Sequence, residues 1–276
     1  MNKRQDLNYR IVGNGYPVVF LHGFLESNNM WENLLKHLPN VQALCIELPG
    51  HGGSKLLEED LSLENISEAV KNTILKITKD DFSIVGHSLG GYVALHLAED
   101  KTLRINQIVL LHSHPWADSK SKKVDRGRAA KIIEYSKNLF LKESIPKLYY
   151  KPEFFETKIN HLIEEAYEMS EEAIIQTLYA MRERKDKSEV LEIWKEKIHI
   201  IQGEFDTLID GNKLEKQAKE NNNTFHLIKS IGHMGHHENE KEVASAVTHD
   251  QRAPLNINTE MSEASHLTIA ISSRYR

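Results

Sequence analysis

The stretch GHSLGG at residues 86–91 sets Ser88 between Gly86 and Gly90, with an apolar β-type run before it (FSIVG, 82–86) and an apolar helical run after it (LGGYVALHLAED, 89–100). A strand that turns directly into a helix at this serine would lift its hydroxyl above the carboxyl edge of a parallel sheet, where open α/β sheets place ligands. The two glycines leave space for a tight backbone and for close strand–helix packing. A serine hydroxyl is a weak nucleophile at neutral pH, so a base must take its proton and an acid must orient that base. For such a turn the expected chain order is Ser, then Asp or Glu, then His. Downstream, EFDTLID puts Asp206 just past the apolar run IHIIQG (198–203), with Asp210 as the alternative acid, and SIGHMGHHEN puts His233 just past TFHLIK (224–229). Provided those runs are parallel strands, the three residues meet on one edge of the sheet.

Residues so distant converge only if the elements between them wind back and forth across a sheet. Candidate strands fall at 7–13, 17–23, 43–48, 82–86, 107–112, 198–203 and 224–229, with helical patterns at 27–38, 61–78 and 89–100. In the second of these, Leu63, Ile66, Val70 and Ile74 recur at helical spacing. The alternation predicts an α/β protein with a mainly parallel central sheet flanked by helices. It stops after His112: from Ala117 to Glu196 the sequence reads as successive helices, punctuated by Pro115, Pro146 and Pro152. The expected division is a core over 1–114 and 197–249, a helical insertion over 115–196, and a loosely docked or poorly ordered tail over 250–276, in which LTIAI (267–271) could add a strand.

With 276 residues, 40% of them hydrophobic, the chain can bury a sizeable core. Its formal net charge of -5 comes from interspersed charges, which argues against a nucleic-acid surface or a polybasic membrane patch. No run approaches the ~20 apolar residues of a membrane span, and the first residues lack the apolar stretch of a signal peptide. The expected partner is a small molecule and the expected location cytoplasmic. The single cysteine, Cys45, lies in the apolar run VQALCIEL and is expected to pack as a small hydrophobe.

From about Asn8 to His249 the chain resembles the α/β-hydrolase family through LHGF (21–24), ELPGHGGS (47–54), GHSLGG (86–91), GEFD (203–206) and GHMGHHEN (232–239). The resemblance implies Ser88 as nucleophile, Asp206 rather than Asp210 as acid, His233 as base, and segment 115–196 as a helical cap. It also implies an oxyanion hole of two backbone N–H groups. Leu89 offers one at the start of its helix, where the dipole favours negative charge. Phe24, which follows the HG pair, offers the other. His22 in that pair is expected to be structural, as is His87 inside the serine turn. Glu47 departs from the commoner family form, which has aspartate before Leu-Pro-Gly.

The implied activity is hydrolysis of a small carboxylic ester through an acyl-enzyme, with neither cofactor nor metal. A serine at the turn argues against relatives that use a carboxylate nucleophile there. Carbon–carbon bond hydrolysis, pyruvate elimination and ligand reception remain open within the resemblance. In the cap, Trp116, Phe140, Tyr149, Tyr150, Phe154 and Phe155 are candidate pocket aromatics, although helix packing is the simpler reading for each of them. Arg126, Arg128, Arg182 and Arg184 are either solvated or available to a carboxylated substrate. His236, His237 and Glu238, or His112 and His114, match no zinc-site spacing.

Overall fold

The computed structural model describes residues 6–248, so the expected tail and its LTIAI run lie outside the described residues. The strands are β1 (Tyr9–Val12), β2 (Tyr16–Leu21), β3 (Val41–Ile46), β4 (Phe82–His87), β5 (Ile105–Leu111), β6 (Ile198–Gly203) and β7 (Thr224–Ile228). The helices are α1 (Glu32–Leu35), α2 (Leu63–Ile77), α3 (Leu89–Leu97), α4 (Lys120–Ser144), α5 (Glu156–Glu168), α6 (Glu171–Arg182), α7 (Ser188–Trp194), α8 (Gly211–Glu220), α9 (Gly235–Glu238) and α10 (Glu240–Thr248). One sheet contains all seven strands in the order β1-β3-β2-β4-β5-β6-β7. Only β1 is antiparallel to its neighbour, β3; the other pairings are parallel.

Every residue of β4 and β6 is buried, as expected of parallel strands covered on both faces, whereas β1 at the edge is largely exposed. Side chains alternate between the faces. Val19, Leu21, Ile84, Leu110 and Ile200 enter one core with Leu63, Ile66, Val70 and Ile74 of α2. Val18, Phe20, Val85, Val109 and Ile201 enter the other with Trp31, Leu34 and Val243. The register pairs Leu21 with Gly86 and His87 with Leu111, so the loops after β2 and β4 leave from one edge. Because β6 and β7 are parallel to them, the Asp206 and His233 loops leave from the same edge.

The helical pattern expected over 27–38 is shorter than it reads: Asn28–Trp31 form a 3-10 turn and only Glu32–Leu35 are α-helical. Tertiary hydrogen bonds compete there, with Asn28 Nδ2 donating to the Cys45 carbonyl at 3.0 Å and Asn28 N to Glu47 Oε1 at 3.4 Å. The chain between β5 and β6 carries α4 to α7. α4 breaks at Ser136, whose backbone is extended (φ -161, ψ 98). The helical run from Thr157 to Lys185 divides at Ser170, whose side chain accepts from Ala173 N at 3.1 Å and so starts a second helix. No helix among the described residues is long and apolar enough to cross a membrane.

The insertion is held together by buried charge, which also touches α3 at Tyr92. Asp118 pairs with Arg126 and, at 2.6 Å, with Arg184 Nη1. Arg184 also donates to the carbonyls of Trp116 at 3.0 Å and Met181 at 2.7 Å, and its guanidinium lies 4.2 Å from the Tyr92 ring centroid. The four arginines therefore part company: Arg126 and Arg184 are bound to Asp118, whereas Arg128 pairs with Asp125 and Arg182 with Glu183 at the surface.

Candidate active site

Ser88 joins β4 to α3 at φ +48 and ψ -109, a conformation that side chains rarely adopt. From Phe82 to Leu95 it is the one residue not fully buried. Its backbone is held on both sides: Ser88 N donates to the Leu111 carbonyl at 3.0 Å, and the Ser88 carbonyl accepts from Ser113 Oγ at 2.8 Å and Gly91 N at 3.0 Å. The glycines are sterically required. A Cβ on Gly86 would lie 2.5 Å from the Gly90 carbonyl, and one on Gly90 would lie 2.1 Å from the Leu21 carbonyl oxygen.

Asp206 follows β6 and is buried, with Oδ1 accepting from Leu208 N at 2.9 Å and Oδ2 lying 2.8 Å from His233 Nδ1. The His233 ring therefore donates from Nδ1 and keeps the Nε2 lone pair for a substrate-side proton. Burial pushes the Asp206 carboxyl up, but the neighbouring His233 and hydrogen bonds from His112 and His233 outweigh it and hold it well below the usual carboxylate range. Asp210, by contrast, is exposed and caps α8, accepting from Lys213 N at 3.0 Å. Glu238 shapes the His233 loop by accepting from Gly232 N at 2.9 Å, Met234 N at 3.3 Å and Tyr150 N at 2.9 Å. Its burial raises its pKa.

Phe24 lies on the loop after β2, half-buried, and Leu89 opens α3, so the Leu89 N–H has no acceptor within its own helix. His22 is a loop strut: Nδ1 donates to the Gly23 carbonyl at 2.7 Å and Nε2 accepts from Leu48 N at 2.9 Å. Burial lowers its pKa to about 4. Glu47 accepts from Asn8 Nδ2 at 2.5 Å and Gly53 N at 2.6 Å, binding the ELPGHGGS loop to β1. Cys45 is buried in β3, and burial pushes its thiol up to about 11, far from a reactive thiolate.

The histidines adjacent in sequence part in space. His112 is buried, with φ +46 and Nδ1 3.5 Å from Asp206 Oδ2. His114 accepts from Trp116 N at 3.2 Å and lies 3.2 Å from Tyr92 Oη. His237 Nδ1 accepts from the Tyr149 hydroxyl at 2.7 Å, and His236 turns to Glu26. Two triplets, Glu26–His87–His236 and His112–Asp206–His233, gather donor atoms within 4.8 Å. In each, short N–H···O contacts between members use those atoms: 2.7 Å for His87–Glu26 and 2.8 Å for His233–Asp206. Sequence reading missed Glu26 and Tyr92 and weighed His112 only as a metal ligand; the signal for Glu26 was a carboxylate in LHGFLE, directly after the apolar strand run.

Ser88 and His233 open into one cavity of about 680 Å³, lined on its apolar side by Phe24, Tyr92, Trp116, Phe140, Leu178 and Met181. Of the six candidate aromatics only Trp116 and Phe140 reach it. Tyr149 stacks on Phe155 at 5.5 Å, Tyr150 on Phe205 at 3.8 Å, and Phe154 is exposed. Lys122 and Lys213 also line it; burial and then Arg126 lower the Lys122 pKa, and Lys213 lies 3.9 Å from the Trp116 ring centroid.

Residues 16–129 match the family model described as alpha/beta hydrolase fold. The chain has the α/β-hydrolase fold. It is similar in structure to an esterase from Thermogutta terrifontis solved with malate bound (TM-score 0.80, 22% identity, 87% of this chain and 91% of that one). It is similar also to MenH from S. aureus (TM-score 0.74, 22% identity, 86% and 95%). In sequence, the chain is 26% identical to a 2-succinyl-6-hydroxy-2,4-cyclohexadiene-1-carboxylate synthase from Enterobacter sp. (strain 638), over 84% of this chain and 91% of the relative.

Proposed function

We propose that the chain hydrolyses a small carboxylic ester through an acyl-enzyme on Ser88. The observation that carries this reading is that strained Ser88 opens into the same cavity as His233, whose far nitrogen is bonded to buried Asp206. Ser88 Oγ attacks the ester carbonyl as its proton passes to His233 Nε2, and Asp206 stabilises the resulting imidazolium. The N–H groups of Phe24 and Leu89 receive the oxyanion at the start of α3, where the helix dipole adds to their pull. The alkoxide leaves with the proton from His233, and water deprotonated by His233 then releases the acid. The cavity volume falls in the range of small-molecule sites, and its apolar lining suits an acyl or alcohol chain.

A second reading, pyruvate elimination by the same serine, draws on the synthase-named relatives and on Lys122 and Lys213 in the cavity wall, ammonium groups placed to meet a carboxylated substrate. Fluorophosphonate labelling tests the shared nucleophile: wild type is labelled, and Ser88→Ala and His233→Ala are not. Equal labelling of Ser88→Ala would sink both readings. A p-nitrophenyl ester series then separates them, since sustained turnover supports the esterase, whereas no turnover of any chain length refutes it.

A further inference from the structure

In the cavity floor, and just behind it, lies a group of buried polar side chains that the ester chemistry does not itself employ. Glu26 is 3% exposed, His87 1% and His236 0%. Glu26 Oε2 accepts from Gly23 N at 2.6 Å and lies 2.7 Å from His87 Nδ1, while Oε1 lies 3.3 Å from His236 Nε2. On its other side, His87 Nε2 lies 3.0 Å from the backbone carbonyl of His233. A carbonyl can only accept, so Nε2 carries a proton, and the carboxylate against Nδ1 calls for a second. His87 is therefore an imidazolium paired with an ionised Glu26. Burial opposes its charge and Glu26 outweighs burial, raising the His87 pKa, while His87 in turn helps to hold Glu26 well below the carboxylate range. The rings of His236, His233 and His112 stand around it at 4.7, 5.1 and 5.8 Å between centroids. The backbone is shaped to admit the pair: a Cβ on Gly23 would lie 2.3 Å from Glu26 Oε2 and 2.6 Å from His87 Nδ1.

These contacts join three separate loops. Glu26 belongs to the loop that carries Phe24, His87 precedes Ser88, and the carbonyl it holds belongs to His233. We infer that Glu26 and His87 form a buried ionic brace that holds the oxyanion loop, the serine turn and the histidine loop in mutual register, which makes both of them positioning residues. As a role in turnover, this rests on the ester-hydrolase reading above. Glu26 and His87 lie in the floor of the cavity, across from the apolar wall of Trp116, Phe140, Leu178 and Met181, so loosening the pair displaces donor, nucleophile and base more than the wall that would hold a substrate chain. A misplacement of about 1 Å costs on the order of 10²-fold in rate.

The test compares Glu26→Ala, Glu26→Gln and His87→Gln in the full chain, each checked for a cooperative thermal transition. Glu26→Ala and His87→Gln are expected to lose about 10²-fold in kcat with KM changed by less than about threefold. Glu26→Gln is expected to recover no more than about threefold of that loss, because Gly23 N and His87 Nδ1 meet the same oxygen: an amide nitrogen there opposes the Gly23 N–H, and an amide oxygen there leaves His87 without the counter-charge it needs to donate from both nitrogens. Folded Glu26→Ala and His87→Gln with kcat within about threefold of wild type, or a rise in KM alone, would overturn the inference. Should Glu26→Ala fail to fold, the other two variants carry the comparison. A substrate-free measurement separates this inference from the ester reading. In ¹⁵N-imidazole spectra at pH 8, the signal missing from His87→Gln is expected to show both ring nitrogens protonated. A neutral His87 overturns the brace even in an active esterase. An imidazolium in a chain that turns over no ester refutes the esterase alone, and the rate of fluorophosphonate labelling then replaces kcat across the three variants.

Discussion

Replacing Asp206 by Asn tests the proposed relay at its least visible member, and the hydrogen bonds around it dictate the outcome. Oδ1 accepts from Leu208 N and Oδ2 faces His233 Nδ1. An amide has one acceptor oxygen, and the Leu208 N–H, which can only donate, claims it. The NH₂ group then faces His233 Nδ1, which must accept, so the ring proton moves to Nε2 and the lone pair needed for the Ser88 proton is gone. The opposite amide orientation would set N–H against N–H at Leu208, at a cost of about 1–3 kcal/mol. Loss of the base tautomer is worth on the order of 10⁴-fold in kcat in a serine triad, about 5 kcal/mol of barrier. The assay is p-nitrophenyl ester turnover, or the fluorophosphonate labelling rate, with Asp210→Ala as control. That control removes a helix cap worth about 1 kcal/mol of stability and leaves kcat unchanged. Asp206→Asn retaining a tenth of wild-type activity, or Asp210→Ala losing as much as Asp206→Asn, would refute the assignment. Stability against pH gives a second check. The Asp206 pKa is depressed in the folded state, so its contribution is complete above the unfolded value of about 3.9 and is lost as pH falls through the folded value. The Tm gap between wild type and Asp206→Asn should therefore be widest near neutral pH and close in acid; a gap that widens in acid contradicts the charge state.

Ser88→Gly should abolish labelling yet raise stability by about 1 kcal/mol, read as a higher Tm, because glycine relieves a positive-φ strain of about 1–3 kcal/mol. An unchanged or lower Tm would mean that the turn stores no such strain. Gly90→Ala drives a methyl against the Leu21 backbone, where nothing flexible can yield, and should cost more than about 3 kcal/mol in urea denaturation; wild-type stability would show that the strand–helix contact is looser than described. Asp118→Asn leaves buried Arg184 without its carboxylate and should cost about 3–5 kcal/mol, measured by the same denaturation, whereas a loss below about 1 kcal/mol would show that the pair does not hold the helical insertion together.

Much of the fold was legible because its strands are short apolar runs buried on both faces. All seven expected strands are present, with ends displaced by no more than two residues. The 27–38 pattern failed because Asn28 is bound by Cys45 and Glu47, partners that only the folded chain brings near. Tyr149 and Tyr150 stack on other aromatics, in line with the packing reading preferred for them, but their partners could not be named from the sequence because Phe155 and Phe205 are brought to them only by folding.

The sequence alone determined the serine turn, the order of Ser88, Asp206 and His233, and the glycines that the turn needs, because these depend on local sterics and on the period of a buried strand. Tertiary structure alone decided that Asp206 is buried while Asp210 caps a helix, that Arg184 is bound to Asp118, and that Glu26 reaches His87 from another loop. Charge state and hydrogen-bond partner depend on distance and burial, and neither is a property of a residue's place along the chain.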